Sequence, residues 1–517
     1  MSDQMNARNS KQSDMRKIVM IFLVIALVVV GGVAAYAFLN QSAKEQYFLA
    51  ESKSMELLSE KVEGRYQSEL DWSETTEQSP TKSDYELSVE YNDPGNQGVG
   101  IFSAAQIINN AKVNITSEVD KKNEKFATTL GASFANMDIG NLDLYLTGDE
   151  LLFGLPFVED VFKISNADLN KLLGEADPTM EDVNFINFKD YFRSADKVVR
   201  ENLDHLLKNY MEVIYHKLPD EAFEMSSDQV EVNKESLKTD KITFKLSEKE
   251  TKDILLEILN LMEKDEKLNE YMDLVFKQML ASPEYQHVFS GISYNLKDMI
   301  AEVKDNLDLL QIPEGITSTI WVHKGLVVKR DLSLSLAENN TSLLSLHVKG
   351  TQLLDKDKQV FQYEFNIGDE ETKATFGING DLFYDGKKSD DTITLLINDN
   401  EVIFTNDETF DGKKKEFKRH FEVPGQLKFM WNGDATYEKS NMKSNHQFAV
   451  EADEISGDML TVHLKKTAET TKEVKIPSEG QVKDLGNMNL DELADFFENE
   501  VLYDMQEYLF NLMGPSW

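Results

Sequence analysis

The chain has no cysteine among its 517 residues. That excludes disulfides, thiolate nucleophiles, Cys-ligated zinc and the lipid-modified cysteine of a lipoprotein. Positive charge is scarce. Lys and Arg number 54 against 92 Asp and Glu, a formal net charge of −38. Nucleic acid and anionic membrane surfaces are bound through clustered Lys and Arg, so no nucleic-acid partner is expected. Catalytic signatures are missing as well. The sequence contains no H-E-x-x-H pair, no G-x-S-x-G elbow, no Walker loop and no paired-glycine dinucleotide motif.

Long apolar runs are absent with one exception, Ile18 to Leu39. A bilayer core needs roughly 20 helical residues, and this run supplies them. Arg8, Lys11, Arg16 and Lys17 precede it, opposed only by Asp3 and Asp14. The positive-inside bias then predicts a cytoplasmic tail (1–17), a transmembrane helix (18–39) and an extracytoplasmic remainder. The expected localisation is the cell membrane, single-pass. The alternative is a cleaved leader with Ala35-Tyr36-Ala37 as its site, but leader cores run shorter, roughly 7–15 residues.

What is present suits a large folded region. The chain is 41% hydrophobic and 10% aromatic, so global disorder is excluded. Residues 40–83 read as a stalk helix, Glu45 to Tyr66, followed by a polar loop, Asp71 to Asp84. Residues 84–314 read as a β-meander plus a helical region. Asp84 to Tyr91 and Ala111 to Val119 alternate with period two, and Asn141 to Pro156 makes two strands about Gly148-Asp149. Helices are expected over Phe188–Lys217, after a Ser247/Glu250 capping box, over Leu268–Leu280 and over Ile292–Leu310. Residues 315–517 read as a second meander with a C-terminal helix, Leu490 to Met513. There Phe361, Tyr363, Phe365 and Ile367 share one face, with Gln362, Glu364 and Asn366 on the other. The predicted class is α+β: a transmembrane helix, then antiparallel β-meanders (a curved sheet or half-barrel) packed with amphipathic helices.

Tyr145 to Pro156, YLTGDELLFGLP, and Trp321 to Leu336, WVHKGLVVKRDLSLSL, resemble hairpins of lipoprotein-carrier-like and mycobacterial lipoprotein-like domains. That resemblance implies a half-barrel with helices across its concave side, a form that encloses lipid chains in some members. The lipid-modified cysteine of many relatives has no counterpart here. As a whole, the chain resembles uncharacterised single-pass exported proteins of Bacillus and relatives.

No catalytic, cofactor-binding or metal-ligating residue is nominated. His347 and His463 fall on alternating strands and read as wet-face residues. Asp407, Asp411 and Gly412 mimic a calcium loop, but its twelfth position is Lys418; the stretch from Asp381 to Gly386 fails likewise with Thr392. Asn114-Ile115-Thr116 fits a glycosylation acceptor, which the resemblance to bacterial proteins makes idle. Two non-catalytic functions are expected: binding of a lipid or other apolar molecule between sheet and helices, or contact with an envelope protein partner. Beyond these, the membrane is the expected partner, through residues 18–39.

Overall fold

The computed structural model describes residues 42–92, 104–134, 137–176, 186–193, 205, 207–272, 296–338, 341–369, 373–398, 400–453, 455–477 and 482–513. A helix over Ala43–Gln78 opens the described chain. Strands, numbered in chain order, follow: β1 (Thr81–Tyr91), β2 (Lys112–Asp120), β3 (Lys125–Phe134), β4 (Met137–Thr147), β5 (Glu150–Gly154) and β6 (Val161–Ser165). After further helices come β7 (Phe223–Val232), β8 (Glu235–Leu246), β9 (Leu310–Gln311), β10 (Ile316–His323), β11 (Leu326–Glu338), β12 (Thr341–Leu354), β13 (Lys358–Gly368) and β14 (Lys373–Tyr384). The last are β15 (Lys388–Ile397), β16 (Asn400–Asp411), β17 (Lys414–Val423), β18 (Leu427–Tyr437), β19 (Asn441–Ala452), β20 (Leu460–Thr470) and β21 (Val482–Asp484). The class is α+β, as the alternation and the amphipathic segments predict.

The chain divides into two compact units. Unit 1 takes residues 1–65, 198–385 and 390–403; unit 2 takes 66–197, 386–389 and 404–517. The expected boundary at 314/315 cuts through unit 1, because β10 pairs with β8, Ile316 opposite Leu246. Local sequence cannot show that the meander continues across a helical insertion.

In unit 1, β7, β8 and β10 to β14 form one antiparallel run. The β10–β11 hairpin turns on Lys324 and Gly325, both at positive φ, as a tight twisted hairpin requires. Ser247 and Glu250 cap the helix Glu248–Lys264 reciprocally. That helix, the helix Leu296–Asn306 and the first turns of Ala43–Gln78 fill the apolar face of the sheet. Ile254, Ile258, Ile300, Tyr47 and Phe48 join Ile320, Leu332 and Leu334 in one buried cluster. The expected stalk is therefore core in its first turns. Gly350 lies opposite Tyr363, whose ring occupies the space a Cβ would need, so an aromatic side chain covers the bare backbone.

In unit 2 the order is β17-β18-β19-β20-β1-β2-β3-β4-β5-β6, antiparallel throughout, and β21 adds in parallel to β6. The strand that closes the set is β1, which accepts β20 along Thr81–Tyr91. The helices Leu490–Phe496 and Leu502–Met513, joined by a π turn, place Phe496 and Val501 against Phe162.

Several expectations need correction. Asp71 to Asp84 is not a loop. The helix kinks at Tyr66 (φ −106°, ψ 19°), where the expected stalk helix ended, but resumes and runs to Gln78. Side-chain bonds such as Gln67 to Asp71 and Gln78 to Glu74 hold it, and it stops at Ser79-Pro80, where proline disfavours helix in the preceding residue. The expected helix Phe188–Lys217 is interrupted at Phe192-Arg193. Its described parts are Phe188–Tyr191 in unit 2 and, in unit 1, a π turn Leu207–Met211 running into Glu212–Lys217, with 194–204 and 206 outside the described residues. Most of the expected helix Leu268–Leu280 lies outside the described residues. That over Ile292–Leu310 is described from Leu296 and ends at Asn306, and Leu310 has joined β9.

The single-pass cell-membrane localisation is corrected too. Among the described residues no helix is long and apolar enough to cross a membrane. The 36-residue helix carries Lys44, Glu45, Glu51, Lys53 and Glu56 within its first turns, and a charge at mid-bilayer costs about 2.5–3.5 kcal/mol. Residues 18–39, on which the expectation rested, lie outside the described residues, as do 1–17.

Candidate functional site

The two units treat their apolar sheet faces differently. In unit 1 the helices fill the face. In unit 2 they cover one end. Trp72 packs on Met442 and Ala468, and Phe188 and Phe192 pack with Leu146 and Phe126. Beyond those rows the register continues as apolar residues that stay half-buried.

Strand pairing defines the rows. Leu464 lies opposite Leu87, and Leu87 opposite Val113. One step further out, Phe448 pairs with Val462 and Val462 with Val89. On β17 and β18, Phe421 pairs with Phe429, their rings 6.2 Å apart. Leu130 and Leu142, paired across β3 and β4, are 38% and 40% exposed. Large side chains on the interior strands of a sheet are ordinarily buried. Here a contiguous apolar face is left partly open.

Polar groups border that face. Arg419 of β17 is held by Glu408 at 2.5 Å and Asn406 at 3.1 Å. Its guanidinium stacks against the rings of Phe417 and Trp431, 4.4 and 4.5 Å from their centroids. Glu408 is fully buried, so this pair is desolvated and well satisfied. Trp431 Nε1 donates to His446 Nδ1 at 3.1 Å. That bond fixes the proton on Nε2, which lies 3.0 Å from Ser444 Oγ. Burial, and then the Arg419 charge, hold His446 below the usual imidazole range. It is therefore neutral, with both nitrogens engaged. Burial, and then Glu69, push Tyr437 up to about 12. Lys466 sits between Ser444 and Tyr85 in the register, its ammonium 5.2 Å from the Tyr85 ring.

The residues weighed from sequence lie elsewhere. His347 is on β12, bonded to Asp331 at 2.9 Å. His463 is on β20, facing Glu90 at 3.4 Å. Asp407 and Asp411 end β16 before a turn at Gly412, φ +61°, and Asp381 lies on β14 before a turn at Gly386, φ +89°. Thr116 of the glycosylation-like triplet bonds Asp84. Among the described residues no group of three or more His, Asp and Glu could hold a metal ion. The hairpins of the resemblance are present: β4 with β5, and β10 with β11. Sequence reading missed His446 and Lys466. Parity could have found them, since Ser444 and His446 are set between the apolar Met442 and Phe448, and Lys466 between Leu464 and Ala468, on one alternating face.

No family model matches the chain, and no curated protein matches it. Among solved structures, that of Pseudomonas aeruginosa OccK5 (OpdH) is similar at 5% identity, over 76% of this chain and 96% of that one, with a TM-score of 0.24. The Escherichia coli outer membrane protein Wzi, involved in group 1 capsule assembly and described as a carbohydrate-binding β-barrel, is similar at 7% identity over 84% of this chain and 90% of that one, TM-score 0.21. The translocation pore of the P pilus usher PapC shares 4% identity over 71% of this chain and 61% of that one, TM-score 0.19. Likeness at this level carries no reading of what this chain does.

Proposed function

We propose that unit 2 is a non-catalytic binding module that seats an elongated apolar molecule on its half-covered sheet face. The observation that carries this is the row of half-buried side chains Tyr85 and Ile115 that ends at the exposed pair Leu130 and Leu142, with the half-buried row Leu464, Leu87 and Val113 beside it. Leaving such a face in water forgoes roughly 25 cal/mol per Å², and an apolar ligand recovers it. The bordering polar groups support binding rather than proton transfer, because Arg419 and His446 already have their partners. The resemblance of the β4–β5 hairpin to lipid-enclosing half-barrels agrees.

The test uses an uncharged apolar fluorophore with the purified full chain. Dye should bind, be displaced by a phospholipid or fatty acid, and raise the unfolding temperature through linkage. Leu130→Glu and Leu142→Glu should together weaken dye binding tenfold or more, since each buried leucine contributes about 1.5–3 kcal/mol. Both positions are exposed, so stability should change by only about 0.5 kcal/mol per site. A cooperative fold that takes up no dye ends this reading.

A second reading rests on a different surface. The helix Leu502–Met513 exposes Tyr503 and Phe510, 65% and 66%, with Leu502 and Leu509 beside them. These residues recur at seven-residue spacing, the pattern of a helix seam, and fit contact with a protein partner. Tyr503→Ser with Phe510→Ser should abolish concentration-dependent association in sedimentation while leaving dye binding intact. Unchanged association would remove this surface from consideration.

A further inference from the structure

Lys465 and Lys466 are neighbours on β20 and point to opposite faces of the unit 2 sheet. Lys465, on the polar face, pairs with Glu86 at 2.9 Å. Lys466, on the apolar face, has no carboxylate partner among the described residues; its ammonium lies over the ring of Tyr85 and its charge reaches the neighbouring, neutral His446. In a chain where acids outnumber bases 92 to 54, a partly buried lysine with no carboxylate beside it is the unexpected case. A cation set among apolar neighbours makes a stronger contact with an anionic group than with a neutral one, so the position suits an anion.

The surroundings say what kind. Ser444 and Tyr85 flank Lys466 across the ladder, and the next rows outward are apolar: Leu464 and Leu87, then Phe448 and Val462. A cationic head position thus adjoins an apolar track. We infer that Lys466 is the headgroup contact of the seat and that the ligand is a single-chain anionic amphiphile, a long-chain fatty acid, with its carboxylate at Lys466 and its chain along the open rows. This rests on the apolar-seat reading and adds the charge and polarity of the ligand to it. Arg419 does not supply this contact, being held by Glu408 and Asn406.

The experiment measures displacement of the uncharged fluorophore from the full chain by oleate and, separately, by oleyl alcohol. Both are used below their aggregation concentrations and at mildly alkaline pH. Oleate should bind roughly tenfold tighter than the alcohol, the effect of one charge-assisted hydrogen bond. Lys466→Met keeps the apolar stem and should bring oleate to the level of the alcohol without changing the alcohol itself. Lys465→Met should change neither. Equal affinities in the wild type, or an oleate affinity untouched by Lys466→Met, overturn the headgroup assignment while the seat stands. So does an equal loss in the two lysine variants, which marks general charge rather than a site. If neither ligand binds, the seat itself falls and this inference with it.

Discussion

Replacing Glu51 with leucine should lower the stability of unit 1 by about 3–5 kcal/mol, the usual cost of stranding one member of a buried ion pair. Glu51 Oε2 accepts from Arg330 Nη2 at 2.5 Å, and the two side chains are 8% and 17% exposed. Burial by itself disfavours the charged guanidinium, but Glu51 and then Tyr47 more than offset it, and Arg330 holds its proton more firmly than usual. The pair is imperfectly satisfied, however. Glu51 Oε1 is buried with no hydrogen-bond partner. A hydrophobic exchange of both partners should therefore restore most of the loss, as replaced buried pairs do elsewhere. Denaturant titration together with amide exchange in β10 to β12 measures this locally. A loss under about 1 kcal/mol for Glu51→Leu would contradict the buried-pair account. So would a Glu51→Leu/Arg330→Met variant less stable than Glu51→Leu alone.

Phe365→Asp should cost about 3 kcal/mol or more, because it sets an unpaired carboxylate against an apolar core. Phe365 packs on the unit 1 cluster, with its ring 5.7 Å from Phe376 and 6.3 Å from Tyr363. Glu364, one residue away, is exposed, and its replacement by alanine should change stability by only about 0.5 kcal/mol. Comparable midpoint shifts for the two variants in urea unfolding would show that β13 does not present Phe365 to the core.

β13 also shows how far sequence reading reaches. Alternation over Phe361 to Phe365 places each side chain on its correct face, but Ile367 is exposed where the pattern expects burial. The strand end has passed the edge of the helical cover, and no local signal marks that edge. The Ser247/Glu250 capping box was legible because its bonds span three residues. The β8–β10 pairing was not, since residues 247–315 intervene with helices of their own. The apolar face of unit 2 was hidden for the same reason. Each strand alternates legibly, but that β1 lies between β20 and β2 is a long-range choice. Lys466 becomes a site only once Tyr85 stands beside it.

The β1–β20 seam has a consequence for the order in which the chain is made. β1 emerges from the ribosome early and β20 near the end, with all of β7 to β14 between them. At about 5–20 residues per second, one edge of β1 waits on the order of half a minute for its partner. Unit 1 has all of its chain by Ile403 and can finish during that interval. Unit 2 cannot. Its nascent form carries an open, alternating strand edge, the kind that recruits other chains, so a ribosome stalled before Leu460 releases a folded unit 1 attached to an adhesive fragment of unit 2.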